Sequence, residues 1–288
     1  MCAPPDSDAA LAWGGMTQDK VRVQLRGAPQ TMLATLYAKA LDADRADPIL
    51  ADRYAKAVVE RIDYDWSQTA ITAARSPSVT TRSAHFDNWA RRFLAAHPDA
   101  VVLHVGCGLD ARYFRLQPGD GVDWYDIDYP AVADLRRQLL PEQRHNHVVA
   151  ACVTDPSWLA EIPTGRPALM LGEGLTMYLT EADGVALLQR VVEHAPSGEL
   201  QFDAFNWLGI KSQWSNAVVR RSGARLHWAI NGPGDILAAV PGVQLVAWQR
   251  WFESDTFHRL PRGYRALGAA MSLIPAVANM SQYHCYAF

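Results

Sequence analysis

The chain has 288 residues, 49% of them hydrophobic and 20% charged, with 27 Lys and Arg against 30 Asp and Glu for a formal net charge of -3. That apolar content can fill one large α/β domain with an extension, and the lack of any sustained basic run argues against a nucleic-acid partner. Four cysteines (Cys2, Cys107, Cys152 and Cys285) are scattered without CxxC pairs, which speaks against a disulfide framework or a structural metal and fits a reduced, cytoplasmic compartment.

The first 17 residues carry no basic segment followed by an apolar core, so they read as a flexible tail and not as a signal peptide. From Thr31 to about Ile62, apolar residues at spacings of one, three and four predict a helical pair interrupted by "DADRADP". A further amphipathic helix is expected from Ser83 to Ala96, with Phe86, Trp89, Ala90 and Phe93 on one face. Residues 18–97 thus form an N-terminal helical extension.

Beyond Pro98 the texture changes to short apolar runs at 100–105, 121–127, 147–153, 167–172 and 199–205, with helices expected at 110–117, 130–140, 156–161 and 181–194. Two more strands, 243–249 and 282–288, close the chain. The expected fold is α/β, a doubly wound seven-stranded sheet spanning 98–288 whose ligand lies at the carboxyl ends of the first strands. The Trp-rich segment beginning at Asn206, taken to about residue 240, reads as a cap over that site. The weakly polar stretch 266–280 is too short for a membrane span and contains Pro275.

The first strand runs into Gly106-Cys107-Gly108, where two glycines let the backbone approach a ligand at a helix N-terminus. An isolated GxG is also the mark of an ordinary tight β-to-α turn. The third glycine of a dinucleotide fingerprint is missing and Asp110 would repel phosphates, which disfavours a dinucleotide-dependent oxidoreductase. About twenty residues on, Asp128 stands at the end of the second strand, placed to accept two ribose hydroxyls or to cap the helix that opens at Pro130. Glycine turn and acid together favour adenosine without phosphates, and S-adenosylmethionine meets that description.

At "GCGLDARYFRL", "YDIDYP" and "EGLTMYLT" the sequence resembles the leucine carboxyl methyltransferase family, and within it the bacterial tetracenomycin-type polyketide O-methyltransferases. The likeness begins at "LRGAPQTMLATLYAKALDADRADPILADRYAKAVVERIDYD", continues through "TTRSAHFDNW" and reaches "SQYHCYAF". It implies a class I methyltransferase fold with S-adenosylmethionine as donor. It also implies that Arg82 pairs with the methionine carboxylate, that Gly106 and Gly108 form the cofactor turn, that Asp128 is the ribose acid and that Glu173 lies beside the methionine moiety. The family's Asp-Leu pair at the adenine is replaced by Cys152-Val153, so Val153 keeps a backbone amide and the side-chain acceptor is lost unless Asp155 reaches the amino group.

Methyl transfer from a sulfonium needs alignment and exclusion of water more than acid-base help, and a carboxylate acceptor needs no base. Tyr178 in "EGLTMYL" and His227 beside Trp228 are the expected catalytic side chains. The aromatic residues Trp207, Trp214, Trp228, Trp248, Trp251, Phe252 and Phe257 suggest a pocket for a planar acceptor. The sequence therefore points to an O-methyltransferase for a small acid or phenol, working as a monomer or homodimer away from membranes. A protein C-terminal carboxyl methyltransferase and a non-catalytic binding protein are the competing readings.

Overall fold

The computed structural model describes residues 20–23, 25 and 27–288, so the N-terminal tail expected from the sequence lies outside the described residues. A two-residue parallel pair, β1 (Val21–Arg22) and β2 (Ile62–Asp63), brackets α1 (Ala28–Ala43) and α2 (Arg53–Glu60). Then comes α3 (Pro77–Ala96), which starts six residues before its expected first residue. Pro77 at its first position explains the difference, because the ring's fixed φ and missing N–H suit a helix start that "SPSVTT" disguises as a loop.

The sheet consists of β3 (Val101–Val105), β4 (Asp123–Asp128), β5 (Asn146–Ala150), β6 (Ala168–Gly172), β7 (Gly198–Phe205), β8 (Gln244–Arg250) and β9 (Ser281–Ala287). Among the described residues its order is β5-β4-β3-β6-β7-β9-β8, parallel except for β9, which runs antiparallel to both neighbours. Every residue of β3 and β6 is buried, as strands covered on both faces require. Between them run α4 (Arg112–Leu116), α5 (Pro130–Leu139) and α6 (Glu181–His194). The expected helix at 156–161 is a 3-10 turn opened by the Asp155 cap.

Two insertions decorate the carboxyl edge. The first holds α7 (Trp207–Lys211) and α8 (Ala217–Ser222), and the second, between β8 and β9, holds α10 (Arg262–Met271) and α11 (Pro275–Ala278). Of the segment expected as a cap, 206–240, the residues Trp228, Ile230, Ile236 and Val240, the last two around α9 (Pro233–Ala239), are buried in the main core with Leu187, Leu188 and Phe202. On the opposite face of the sheet, Phe93 and Ala90 of α3 pack on Val102, Trp124 and Leu169. The N-terminal pair closes on α4 and α5 through Leu33, Leu36, Val58, Phe114 and Leu135. Among the described residues no helix is long and apolar enough to cross a membrane.

His284 sits fully buried in this core, stacked on Phe202 with ring centroids 5.3 Å apart, its Nδ1 2.8 Å from the Tyr286 hydroxyl and its Nε2 without a partner among the described residues. Burial depresses its pKa to about 3. A base depressed on folding contributes stability that is fully present above its unfolded pKa and is lost as pH falls from there toward the folded value. Unfolding free energy should therefore drop by up to about 1.4 kcal/mol per pH unit below about pH 6.5. Urea melts at pH 7 and pH 5 should show a smaller drop for His284→Phe than for the wild type, and equal drops would exclude His284 as the source.

Candidate active site

β3 ends in a turn that only glycine accommodates comfortably: Gly106 has φ +63 and Gly108 has φ +53. A Cβ at Gly106 would lie 2.9 Å from Leu175 Cδ1, and one at Gly108 3.0 Å from Met32 Cβ, so side chains here would collide as well as strain the backbone. The Gly106 amide donates to Ile127 O at 2.8 Å, which fixes the turn beside the end of β4. Asp128, at that end, accepts from the Gly108 amide at 2.7 Å and from the Tyr129 amide at 2.8 Å. The helix α5 has no side-chain cap, so the capping role open to Asp128 is not the one it fills. Asp128 lines the cavity, and burial raises its pKa from the ordinary value. Its neighbour Asp126 turns inward to His104 Nδ1 (2.8 Å), Asn146 (2.9 Å) and Arg136, whose guanidinium also holds the turn through Gly108 O at 2.8 Å.

The floor of the cavity is ionic. Arg82 on α3 donates through Nε to Glu173 at 3.0 Å and through Nη1 to Asp203 at 3.0 Å. Glu173, just past β6, also accepts from Ser83 Oγ at 2.7 Å and from Arg112. Burial opposes its ionisation, but Lys39, Arg112 and Arg82 overcome that and hold it well below the usual carboxylate range. Asp110 is likewise held far down, burial being outweighed by Arg115, Lys39 and Arg112, with Lys39 Nζ at 3.0 Å and Arg115 Nη1 at 2.7 Å. The anion that the sequence reading set against phosphates is thus neutralised from three sides. Lys39, Arg112, Arg115, Asp87 and Asp203 escaped the sequence reading. The signal available was a charge inside an apolar run, as in "QFDAF", which is costly to bury without a partner.

One cavity of about 670 Å³ joins these groups. Arg82, Gly106, Gly108, Asp128, Val153, Glu173 and Tyr178 all line it, together with Lys39 and Asp110. Tyr129, Val132, Ala151 and Val153 make an apolar slot at the ends of β4 and β5. Three expected residues lie elsewhere. Cys152 turns its Sγ to Thr154 Oγ1 at 3.1 Å, Asp155 caps Ser157 N at 2.9 Å on the surface, and the exposed His227 meets the site through its backbone N–H, which donates to Met177 O at 2.8 Å.

The far wall comes from both insertions: Val218 and Val219 of α8, then Trp251, Phe252, Tyr264, Met271, Val277 and Met280. The aromatic pocket expected from the sequence shrinks to Trp251 and Phe252. Trp207 and Trp214 are 47% and 73% exposed, Trp228 and Phe257 are core residues, and Trp248 donates to Gln282 at 2.7 Å outside the lining. Tyr178 completes this end, the pKa of its phenol raised by burial against the opposing effect of the Thr31 side chain. Among the described residues no cluster of His, Cys, Asp or Glu could hold a metal ion.

Known proteins share this arrangement of sequence. The chain is 39% identical over 266 residues to the tetracenomycin polyketide synthesis O-methyltransferase TcmP of Streptomyces glaucescens, covering 92% of this chain and 98% of that protein. It is 36% identical over 251 residues to the S-adenosyl-L-methionine-dependent methyltransferase dpfgK of Gibberella zeae, covering 80% and 84%. A solved structure of a candidate methyltransferase from Thermobifida fusca YX superposes with a TM-score of 0.60 at 15% identity, covering 91% of this chain and 94% of the other, a likeness of fold. Residues 31–192 match the leucine carboxyl methyltransferase family, and with these relatives on both counts the chain belongs to that family.

Proposed function

We propose that the protein is an S-adenosylmethionine-dependent O-methyltransferase whose acceptor is a small, polyketide-like molecule bearing a carboxylate or a phenolic hydroxyl. The observation that carries this reading is the division of one 670 Å³ cavity into an ionic half on the sheet and an apolar half under the two insertions.

The ionic half suits the donor. After accepting one amide on each oxygen, Asp128 keeps a lone-pair direction on both, which matches two adjacent ribose hydroxyls. The bare turn at Gly106 and Gly108 lets the nucleoside approach the backbone. Arg82 and Lys39 supply positive charge for a carboxylate, and the ionised Glu173 supplies the counter-charge for an ammonium or sulfonium. The slot of Tyr129, Val132, Ala151 and Val153 takes the adenine, with the Val153 amide in place of a side-chain acceptor. When bound, S-adenosylmethionine supplies an electrophilic methyl group.

The chain's own task is then to seat the acceptor oxygen in line and keep water out, which effective-molarity arguments value at several powers of ten. A carboxylate acceptor fits best. Among the described lining residues the imidazole is His104, engaged by Asp126, the acids Asp110 and Glu173 are held too far down to serve as bases near neutral pH, and Asp128, whose pKa burial raises, is taken up by the ribose. We place residues 206–222 and 251–280 as the lid, and the N-terminal helices as part of the donor site. The apolar, lid-walled half favours a small acceptor over a protein C-terminus, and the tetracenomycin relative acts in polyketide synthesis by name.

Incubation with methyl-labelled S-adenosylmethionine and a panel of fused-ring carboxylic acids and phenols should give labelled product with at least one acid. Alkali should release the label from that product, because an ester hydrolyses where an ether does not. Failure of the whole panel, against protein that binds S-adenosylhomocysteine, would count against the acceptor class.

A further inference from the structure

Tyr283 on β9 is fully buried, yet its hydroxyl has no hydrogen-bond partner among the described residues. Native structures seldom keep such an atom without a use, since its desolvation is uncompensated. The ring cannot swing away: it stacks on His85 at 4.7 Å between centroids and meets Phe86 edge-on at 5.5 Å. Register places it directly across from Asp203 of β7, the residue that grips Arg82, and the side chain lines the cavity. Met280 and Ser281, just before it in the chain, already belong to the lid side of the lining. Tyr283 therefore stands at the seam between the ionic and apolar halves. Burial, opposed by Arg82 and reinforced by Asp203 and Glu173, pushes the phenol well above its ordinary pKa, so the group stays a donor.

We propose that the Tyr283 hydroxyl is an acceptor-binding group, donating a hydrogen bond to the oxygen-bearing substituent of the small molecule at the point where it meets the donor half. This rests on the O-methyltransferase reading above and adds the residue that orients the acceptor.

Tyr283→Phe keeps the ring and deletes only the orphaned oxygen. Three measurements on the full chain decide the matter. The Tm of the ligand-free variant should stay level or rise. Its Kd for S-adenosylhomocysteine, by calorimetry, should stay within about twofold of the wild type. Its Kd for anthraquinone-2-carboxylate, titrated into the S-adenosylhomocysteine complex, should weaken by about 10- to 100-fold.

Equal probe affinity in variant and wild type overturns the assignment and leaves the proposed function standing. Weakened S-adenosylhomocysteine binding gives the hydroxyl to the donor and also overturns it, as does a clear fall in Tm, which would expose a structural partner. A wild-type complex that binds no probe fails the acceptor reading itself, and this inference with it.

Discussion

Replacing Arg112 with Met should cost about 3–5 kcal/mol of unfolding free energy, the largest loss expected from any single substitution away from the apolar core. Arg112 is fully buried and serves three acids at once: Asp87 through Nε at 2.7 Å, Asp110 at 3.5 Å and Glu173. Its Nη1 also approaches His104 Nε2 at 3.4 Å. Met fills the volume but leaves three carboxylates that were ionised against a guanidinium. Each must then either stay charged in a low-dielectric interior or take up a proton. Against a typical total of about 5–15 kcal/mol, a loss of this size leaves a protein on the edge of unfolding. Urea denaturation checks it, with Arg137→Met as the comparison. Arg137 pairs with Asp134 at the surface, at 3.0 Å, where such a bridge is worth under about 1 kcal/mol. Two variants of equal stability would mean that the buried charges are not interdependent.

Asp128→Ala should raise the Kd for S-adenosylhomocysteine about 100-fold, the loss expected when two hydroxyls give up hydrogen bonds to a charged acceptor. The same change strips the acceptor from the Gly108 and Tyr129 amides, so the glycine turn loosens along with any loss of the proposed ribose contact. Calorimetry separates the two effects if the variant's Tm is taken alongside. A Kd that stays near the wild-type value would take the ribose away from this carboxylate. Together with a fall in Tm it would leave Asp128 as a brace for the turn and nothing more.

The sheet was readable because β3 and β6 are near-continuous apolar runs, as strands covered on both faces require, and the other strands keep enough apolar residues between turn signals even where a charge such as Asp126 or Asp203 interrupts them. Helix α6 was readable to the residue, since Thr180 caps it by accepting from the Asp183 amide at 3.2 Å and its apolar spacing ends at His194. The ionic floor was not. Arg82 meets Glu173 and Asp203 across 91 and 121 residues of chain, and no local pattern carries such a pairing. The resemblance supplied Arg82 and Glu173, yet not Lys39 or Asp203. Lys39 sits among the buried residues of α1, where a lysine draws suspicion only once its partner Asp110 is known. The second insertion went unread because its helices are short and Pro275 interrupts "ALGAAMSLIPAVANM" between them. The Trp count misled because tryptophan serves core and surface as readily as a pocket.

Lys39 and Arg82 come from helices that precede the first strand of the large sheet, as does Asp87, while Asp110, Arg112, Arg115, Glu173 and Asp203 come from the chain beyond residue 98. A fragment cut at residue 98 would retain all seven strands and the glycine turn, but it would present Glu173, Asp110 and Asp203 with two cations gone. On the proposed function, the donor would meet a surplus of negative charge where its carboxylate is placed. Recognition of the donor is, on that same proposal, shared property of two stretches of chain, and neither could be exchanged for a foreign segment without rebalancing the other.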